Sequence, residues 1–372
     1  MQRKVTVLGM ISNVGGAGTE LEHTIKLWRH YGLDVHVIPT WDAPTTADRQ
    51  HVESLGATVH LLKPPQVAAF DFGSGPAVGF CNPKFLNAVQ WLRKAGAPLV
   101  WCNCMTQLHK DEGRTWKQFG LPDAFMFQSQ YQMQAIAPSL HRFGYTDDDE
   151  RGYLVRGAFW LADGGWEWQF QSREPNSPFV VGKLARAARM KWWSSMYDHL
   201  AKVPNIQGLF MGVDDAIKRR LGQRPKWAKP LPPGHIPTID FYRQLHALVN
   251  VNGGDRENWP RVGLEAMALG VPVVAERRWG WLEMIEHEYT GLLCTNYRDV
   301  VAALCRLERD EGLRLELAKN AREALETHLA RPDLIWRQWC ELWHGIGCGH
   351  LAEVSAVEIA ALPLVNADET LT

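Results

Sequence analysis

The chain alternates short apolar runs with amphipathic ones, and the first unit of that alternation already restricts the fold. Lys4–Ile11 is rich in β-branched and apolar residues and reads as a buried strand. It runs into the glycine-rich loop Ser12–Gly18 (SNVGGAG). Thr19 and Glu22 then make a T-x-x-E capping box, which predicts a helix opening at Thr19. Leu21, Ile25 and Trp28 fall on one face of it, Gly32 suits its C-terminal cap, and Val35–Pro39 reads as the next strand. A strand, crossover helix and strand in this order belong to a parallel sheet.

The theme continues. Val59–Leu62, Pro98–Cys102 and Phe125–Gln128 read as strands. Phe85–Lys94 reads as a helix, and another helix ends by Pro138. Gln171–Pro178 (QSREPNSP) is polar, holds two prolines and reads as a linker. The alternation then restarts with Phe179–Gly182 as strand, a helix from about Lys191, and Gly208–Gly212 as strand. Lys226–Pro237 (KWAKPLPPGHIP) is so rich in proline that it predicts irregular loop. Phe241–Leu245 reads as helix, Ala247–Val251 as strand, and Arg261–Leu269 as a helix closed by Gly270. Val300–Leu329 and Ile335–Trp343 are helical patterns, and the last twenty or so residues are weakly patterned. At 372 residues the expectation is α/β with two doubly wound halves. The boundaries are residues 1–170, a linker at 171–178, residues 179–330, and a C-terminal segment at 331–372.

Charge and composition exclude little but redirect attention. Lysine plus arginine (40) and aspartate plus glutamate (41) nearly cancel, so bulk electrostatics favours neither nucleic acid nor an anionic membrane. The start, MQRKVTVLGMIS, lacks the pattern of a signal peptide, and no 18-residue apolar run is present. Seven cysteines suit reduced thiols, which gives a cytoplasmic expectation. Asp147–Glu150 (DDDE) reads as solvated loop, and the seventeen tryptophans first of all as core.

In open parallel sheets, ligands sit beyond the carboxyl ends of strands, where helix N-termini point. Two segments fit that geometry. Gly15-Gly16-Ala17-Gly18 allows close backbone approach before a helix N-terminus. It is not G-x-G-x-x-G, no acid closes the next strand, and a plain βα turn stays open as a reading. The second segment is Gly253–Val274 (GGDRENWPRVGLEAMALGVPVV). Glu265, one turn into its helix, can accept two hydrogen bonds from a vicinal diol. Glu257, in the loop, can accept from further hydroxyls, and the N–H groups of Asn258, Trp259, Arg261 and Val262 can meet phosphates. A solvated Glu257 and a dipole-favoured Glu265 are the bland alternative. Lys183, Arg186 and Lys191, at a strand end, suit a diphosphate. Cys340, His344, Cys348 and His350 invite a metal reading, but Gly345, Gly347 and Gly349 disrupt the helix that would align them. Cys102 and Cys104 read as core.

Three motifs together resemble the GT-B glycosyltransferases, and most closely glycosyltransferase family 4. They are GGAG (15–18), GKLARAARMK (182–191) and ENWPRVGLEAMALGVPVV (257–274), followed by Trp279-Gly280-Trp281-Leu282-Glu283 and Thr290–Leu293. The resemblance covers about residues 5–330 and is strongest in the C-terminal half. It implies two Rossmann-like domains facing across a cleft, with the segment 331–372 crossing back to the first domain. It implies that Glu257 binds donor-sugar hydroxyls and Glu265 the nucleotide ribose. Arg186 and Lys191 would hold the diphosphate with Lys183 in place of an arginine, and Gly15 and Gly16 would approach the donor phosphate. His109, in the segment that also holds Asn103 and Thr106, is the implied helper at the reacting centre. Trp259-Pro260 and Trp279 depart from the family pattern near the donor pocket.

The expected activity is retaining, metal-independent transfer of a sugar, without cofactor, from a UDP- or GDP-sugar. The acceptor stays open among a small molecule, a glycan, a lipid-linked sugar and DNA, and the oligomeric state is open too. The competing readings are a transferase on modified DNA bases, using a basic edge of Arg219, Arg220, Arg224, Lys226 and Lys229; a silent sugar-nucleotide binder; a sugar-nucleotide epimerase; and an NAD-dependent oxidoreductase.

Overall fold

A computed structural model describes residues 3–9, 16–41, 43–80, 82–146 and 148–353. Residues 10–15, including Gly15, lie outside the described residues, as do Asp147 and 354–372. The first sheet contains β1 (Lys4–Gly9), β2 (Asp34–Pro39), β3 (Thr58–Val59), β4 (Ala77–Phe80), β5 (Leu99–Cys102), β6 (Ala124–Phe127) and β7 (Gly152–Leu154). Its order is β3-β2-β1-β4-β5-β6-β7, with every pairing parallel. The crossovers carry α1 (Gly16–His30), α2 (Thr46–Ser54), α3 (Val89–Ala95), α4 (Lys110–Phe119) and α5 (Gln130–Leu140). Strand β4 was not anticipated. Its four residues, AVGF, sit behind a glycine-rich turn and are too few to show a period.

The second sheet contains β8 (Phe179–Leu184), β9 (Ile206–Met211), β10 (Ala228–Leu231), β11 (Ala247–Asn250), β12 (Val273–Glu276) and β13 (Leu292–Cys294). Its order is β10-β9-β8-β11-β12-β13, again parallel throughout. Its helices are α6 (Met196–Leu200), α7 (Asp215–Leu221), α8 (Thr238–Tyr242), α9 (Arg261–Ala268) and α10 (Trp281–Met284). After it come α11 (Tyr297–Arg309), α12 (Glu311–Ala324) and α13 (Pro332–Gly345). Strand β10 corrects the expectation of irregular loop over 226–237. Pro230 is tolerated because β10 is an edge strand, where one face of the backbone has no partner to bond.

Two segments tie the halves together. After β7, Phe159 and Trp166 already pack into the second core, against Trp259 and Trp281. Helix α13 returns to the first domain. Trp339 lies edge-on to Trp28 at 4.8 Å and stacks on Trp343 at 5.0 Å, and Trp336 stacks on Tyr31 at 4.5 Å. Trp28, Trp116, Trp192, Trp193, Trp281, Trp339 and Trp343 are all under 2% exposed, so much of the tryptophan is core material.

Two local expectations fail. Thr19, the predicted cap, lies inside α1, and Glu22 instead binds Lys26 (2.5 Å) and His51 (3.1 Å). The thiols are not all reduced: Cys104 is disulfide-bonded, while Cys102, Cys294, Cys305, Cys340 and Cys348 are free. Among the described residues no three His, Cys, Asp or Glu side chains cluster as metal ligands. Cys348 Sγ instead faces the Ser74 carbonyl, and His350 bonds Ser74. No described helix is long and apolar enough to cross a membrane.

Candidate functional site

Each sheet reverses its winding once, between β1 and β4 and between β8 and β11. Ligand residues in open α/β sheets gather beyond the strand ends at such points. Gly16, within the glycine-rich stretch, lies on α1 in the crossover after β1. Lys183 lies near the end of β8, Asn252 and Glu257 follow β11, and Glu276 ends β12.

Lys191 ends a single 3-10 turn (Arg189–Lys191) and reaches the loop after β11. Its Nζ lies 2.9 Å from Glu257 Oε1 and 3.2 Å from Asp255. Asn252 Nδ2 donates to the same Glu257 oxygen at 2.7 Å. One predicted cation and one predicted carboxylate therefore meet, held by two residues that sequence reasoning missed, Asn252 and Asp255. Lys183 is fully buried. Its Nζ donates to Val251 O at 3.0 Å and lies 3.5 Å from Asn252 Oδ1. Burial lowers its pKa to about 7, against the field of Glu257. Arg186 is exposed and makes no ion pair among the described residues, so the three predicted cations do not form one cluster.

Glu265 lies buried on α9, where Tyr242 OH donates to Oε2 at 2.9 Å. Burial raises its pKa, and Arg261 opposes that shift. Tyr242 OH also approaches the Val262 carbonyl at 3.2 Å. Arg261 heads α9 at the domain junction. Its Nη1 donates to Ala158 O at 2.5 Å, its guanidinium stands 5.1 Å over Phe159, and its Cγ would lie 3.5 Å from a Cβ at Gly16. Gly16 of α1 and the N-terminus of α9 therefore meet across the cleft.

Asn258 and Trp259 do something the sequence did not disclose. Asn258 Nδ2 donates to Gln128 Oε1 at 2.6 Å, and its Oδ1 accepts from Ser129 Oγ at 2.5 Å. Gln128 Nε2 in turn donates to Glu20 Oε1. Trp259 packs under the Arg156 guanidinium at 4.4 Å. Glu283 accepts from the backbone N–H groups of Gln130 (3.0 Å) and Tyr131 (2.8 Å), at the N-terminus of α5. All of these contacts except Gln128–Glu20, which lies within the first domain, join the two domains. Burial raises the pKa of Glu20 to about 7 and lowers that of His23, whose Nδ1 accepts from Trp160 N at 2.7 Å, to about 2. A sequence signal for Glu20 existed: Glu20, Thr24 and Leu27 share a helical face, and all are buried.

His109 stands apart from this group. It is exposed, heads α4 with its backbone N–H donating to Glu112, and has no hydrogen bond to any donor residue named above. Asn103 is bound within the same turn by Gln107 and Glu112, both at 3.2 Å. Of the predicted basic edge, Arg219, Arg224, Lys226 and Lys229 are exposed, while Arg220 turns inward onto the Trp192 carbonyl at 2.6 Å.

Two parallel Rossmann-like sheets meeting across a cleft define the GT-B class of fold. HepE of Anabaena, solved in complex with UDP, matches with a TM-score of 0.71 and 18% identity over 92% of this chain and 99% of that one. Sucrose-phosphate synthase of Thermosynechococcus elongatus matches with 0.69 and 15%, over 93% and 99%. Residues 165–324 match the family described as Glycosyl transferases group 1. Curated relatives include the D-inositol 3-phosphate glycosyltransferase of Acidothermus cellulolyticus, 34% identical over 113 residues. Another is the capsular polysaccharide biosynthesis glycosyltransferase CapM of Staphylococcus aureus, 24% identical over 177 residues. These alignments cover 30% and 44% of this chain but only 22% and 45% of the relatives.

Proposed function

We propose that the protein is a retaining, family 4-like glycosyltransferase that moves a sugar from a UDP- or GDP-sugar to an acceptor. The observation that carries this reading is the Lys191–Glu257–Asn252 group beside the N-terminus of α9, with Glu265 one turn further on. Glu265 accepts hydrogen bonds from the ribose. Glu257 accepts from donor-sugar hydroxyls. Lys191 leaves its carboxylate partners for the diphosphate when donor binds. As the glycosidic bond breaks, negative charge builds on the leaving diphosphate. Lys191, Lys183 and the N–H groups at the head of α9 supply positive charge there, and the reading needs neither metal nor cofactor. UDP bound to HepE supports a nucleoside diphosphate as ligand class, and the names of the relatives support transfer of a glycosyl group.

The test is a thermal-shift panel with UDP, GDP, ADP, dTDP and NAD. Ligand at 100 times its Kd stabilises by about 2.7 kcal/mol, which is readily measured. The expected result is a shift with one nucleoside diphosphate, abolished by Glu265→Ala. Glu257→Ala is expected to retain that shift and to lose turnover. A shift with NAD alone overturns the reading. A shift by a nucleoside diphosphate with no sugar release from any donor leaves a sugar-nucleotide binder without transferase activity.

A further inference from the structure

The chain Gln132–Ser129–Asn258–Gln128–Glu20 is a directional run of hydrogen bonds across the domain junction. Gln132 N–H donates to Ser129 Oγ at 3.0 Å, and Ser129 O–H donates to Asn258 Oδ1 at 2.5 Å. Asn258 Nδ2 donates to Gln128 Oε1 at 2.6 Å, and Gln128 Nε2 donates to Glu20. Each side-chain group in it uses its donor and acceptor once, so the Asn258 amide has one orientation. Gln128, Ser129, Asn258 and Glu20 are all at most 5% exposed. Buried amides left unpaired are costly, so this arrangement belongs to the closed domains.

Its place beside Glu257 matters more than its strength. Asn258 is the next residue to Glu257. From within its own domain the loop is held by Gly280, whose N–H donates to Glu257 O at 3.0 Å. A Cβ at Gly280 would fall 1.4 Å from Asn258 O, so the two backbones are in close contact. Among the described residues, the other domain holds it through the Asn258 side chain and the packing of Trp259. The position of the Glu257 carboxylate is therefore linked to domain closure through one peptide bond.

We propose that Gln128, Ser129 and Asn258 are positioning residues that bring Glu257 into register with the donor sugar when the domains close. The proposal rests on the transferase reading above. None of the three touches reacting atoms in it; they act through Glu257. The nucleotide, held by Glu265 within one domain, binds without them. Turnover does not proceed efficiently without them, because misplacing a reacting group by about 1 Å can cost about a hundredfold.

The experiment needs no acceptor. Hydrolysis of the donor sugar nucleotide by water, giving nucleoside diphosphate and free sugar, reports turnover, and calorimetry reports nucleoside diphosphate affinity. The variants are Gln128→Met, Asn258→Leu and the double variant, with Ser129→Ala as a milder change should Asn258→Leu fail to fold. The expected result is about a tenfold or greater fall in kcat for each single variant, with nucleotide Kd within about twofold. The double variant should be no slower than the slower single one, as for two residues acting through one contact. Gln128→Met or Ser129→Ala with unchanged kcat overturns the proposal. So do losses that multiply, or nucleotide affinity that falls in step with kcat, since general loosening of the fold does both. A wild-type protein that binds nucleoside diphosphate but hydrolyses no donor removes the transferase reading itself, a failure that the wild-type arm shows before any variant is compared.

Discussion

Glu20 and His23 are one turn apart on α1, are both buried, and are shifted in ways that oppose each other in their effect on stability. Glu20 has a folded pKa of about 7 against an ordinary 4.5, so its contribution is fully present below 4.5 and lost as pH rises through 7. His23 has a folded pKa of about 2 against 6.5, so its contribution is present above 6.5 and lost as pH falls. Between about pH 4.5 and 6.5 the two slopes offset. Glu20→Gln is expected to be more stable than wild type at pH 8, by up to about 3 kcal/mol, with the advantage gone by pH 4.5. His23→Gln is expected to show the reverse trend, gaining on wild type as pH falls below 6.5. Urea unfolding at four pH values checks both. Parallel curves for wild type and Glu20→Gln would show that the carboxyl is not buried in a charge-averse site. Lys183 adds a second dependence on pH. With a pKa near 7 it is largely neutral at pH 8, and a diphosphate nearby favours its protonated form. Nucleotide binding at pH 8 should therefore take up a proton, and Kd should rise up to about tenfold per pH unit above 7. Phosphate ionises near 6, below that window. Isothermal titration in two buffers of different ionisation enthalpy measures the uptake, and Lys183→Met should abolish it; a Kd flat from pH 7 to 9 removes Lys183 from the site.

At the scale of elements, the parallel alternation was legible because strands and helices have different hydrophobic periods. The predicted strands and helices from Val35–Pro39 to Arg261–Leu269 agree with the structure within a few residues, except the helix expected from about Lys191, which starts at Met196. Strands β4 and β10 were not legible. The first is four residues long, and the second carries a proline that only its place at the sheet edge excuses. The long helical pattern over 300–329 is in fact broken at Asp310, which caps α12 by accepting from Leu313 N at 2.8 Å. Within the site, motif spacing placed Glu257 in the loop after β11 and Glu265 on α9, because those positions follow from strand ends and helix starts, whereas Lys191, read as a helix start, ends a single 3-10 turn ahead of α6. It could not place Arg186 in solvent or Asn258 in a bond with Gln128, because long-range contacts between side chains leave no local pattern. Gly280 carries the element-scale prediction. Gly280→Ala puts a methyl group onto the Asn258 carbonyl, so the loop or the entry to α10 must shift. Donor turnover is expected to fall about a hundredfold. Unchanged turnover in steady-state kinetics would mean that the loop tolerates the shift.

For the whole molecule, chain order and packing order differ. Helix α13 follows the second domain in sequence but completes the core of the first, where Trp339 is fully buried against Trp28. Trp339→Ala leaves a cavity in that core and should cost about 3–5 kcal/mol. The polar junction at Asn258, Arg261 and Glu283 is one contact through which such a loss could reach the second domain. Junctions of this kind couple domains weakly when compared with an apolar core. Calorimetry of Trp339→Ala is therefore expected to show two transitions. The lower belongs to the first domain and does not move with added nucleoside diphosphate. The upper belongs to the second, which holds Glu265 and Lys191, and rises with nucleotide as mass action requires. A single transition that nucleotide shifts as a whole would instead mean that the Gln128–Asn258 bridge and the Arg156–Trp259 contact bind the halves into one cooperative unit. In that case closure is the resting state of the protein, and donor entry requires those contacts to break first.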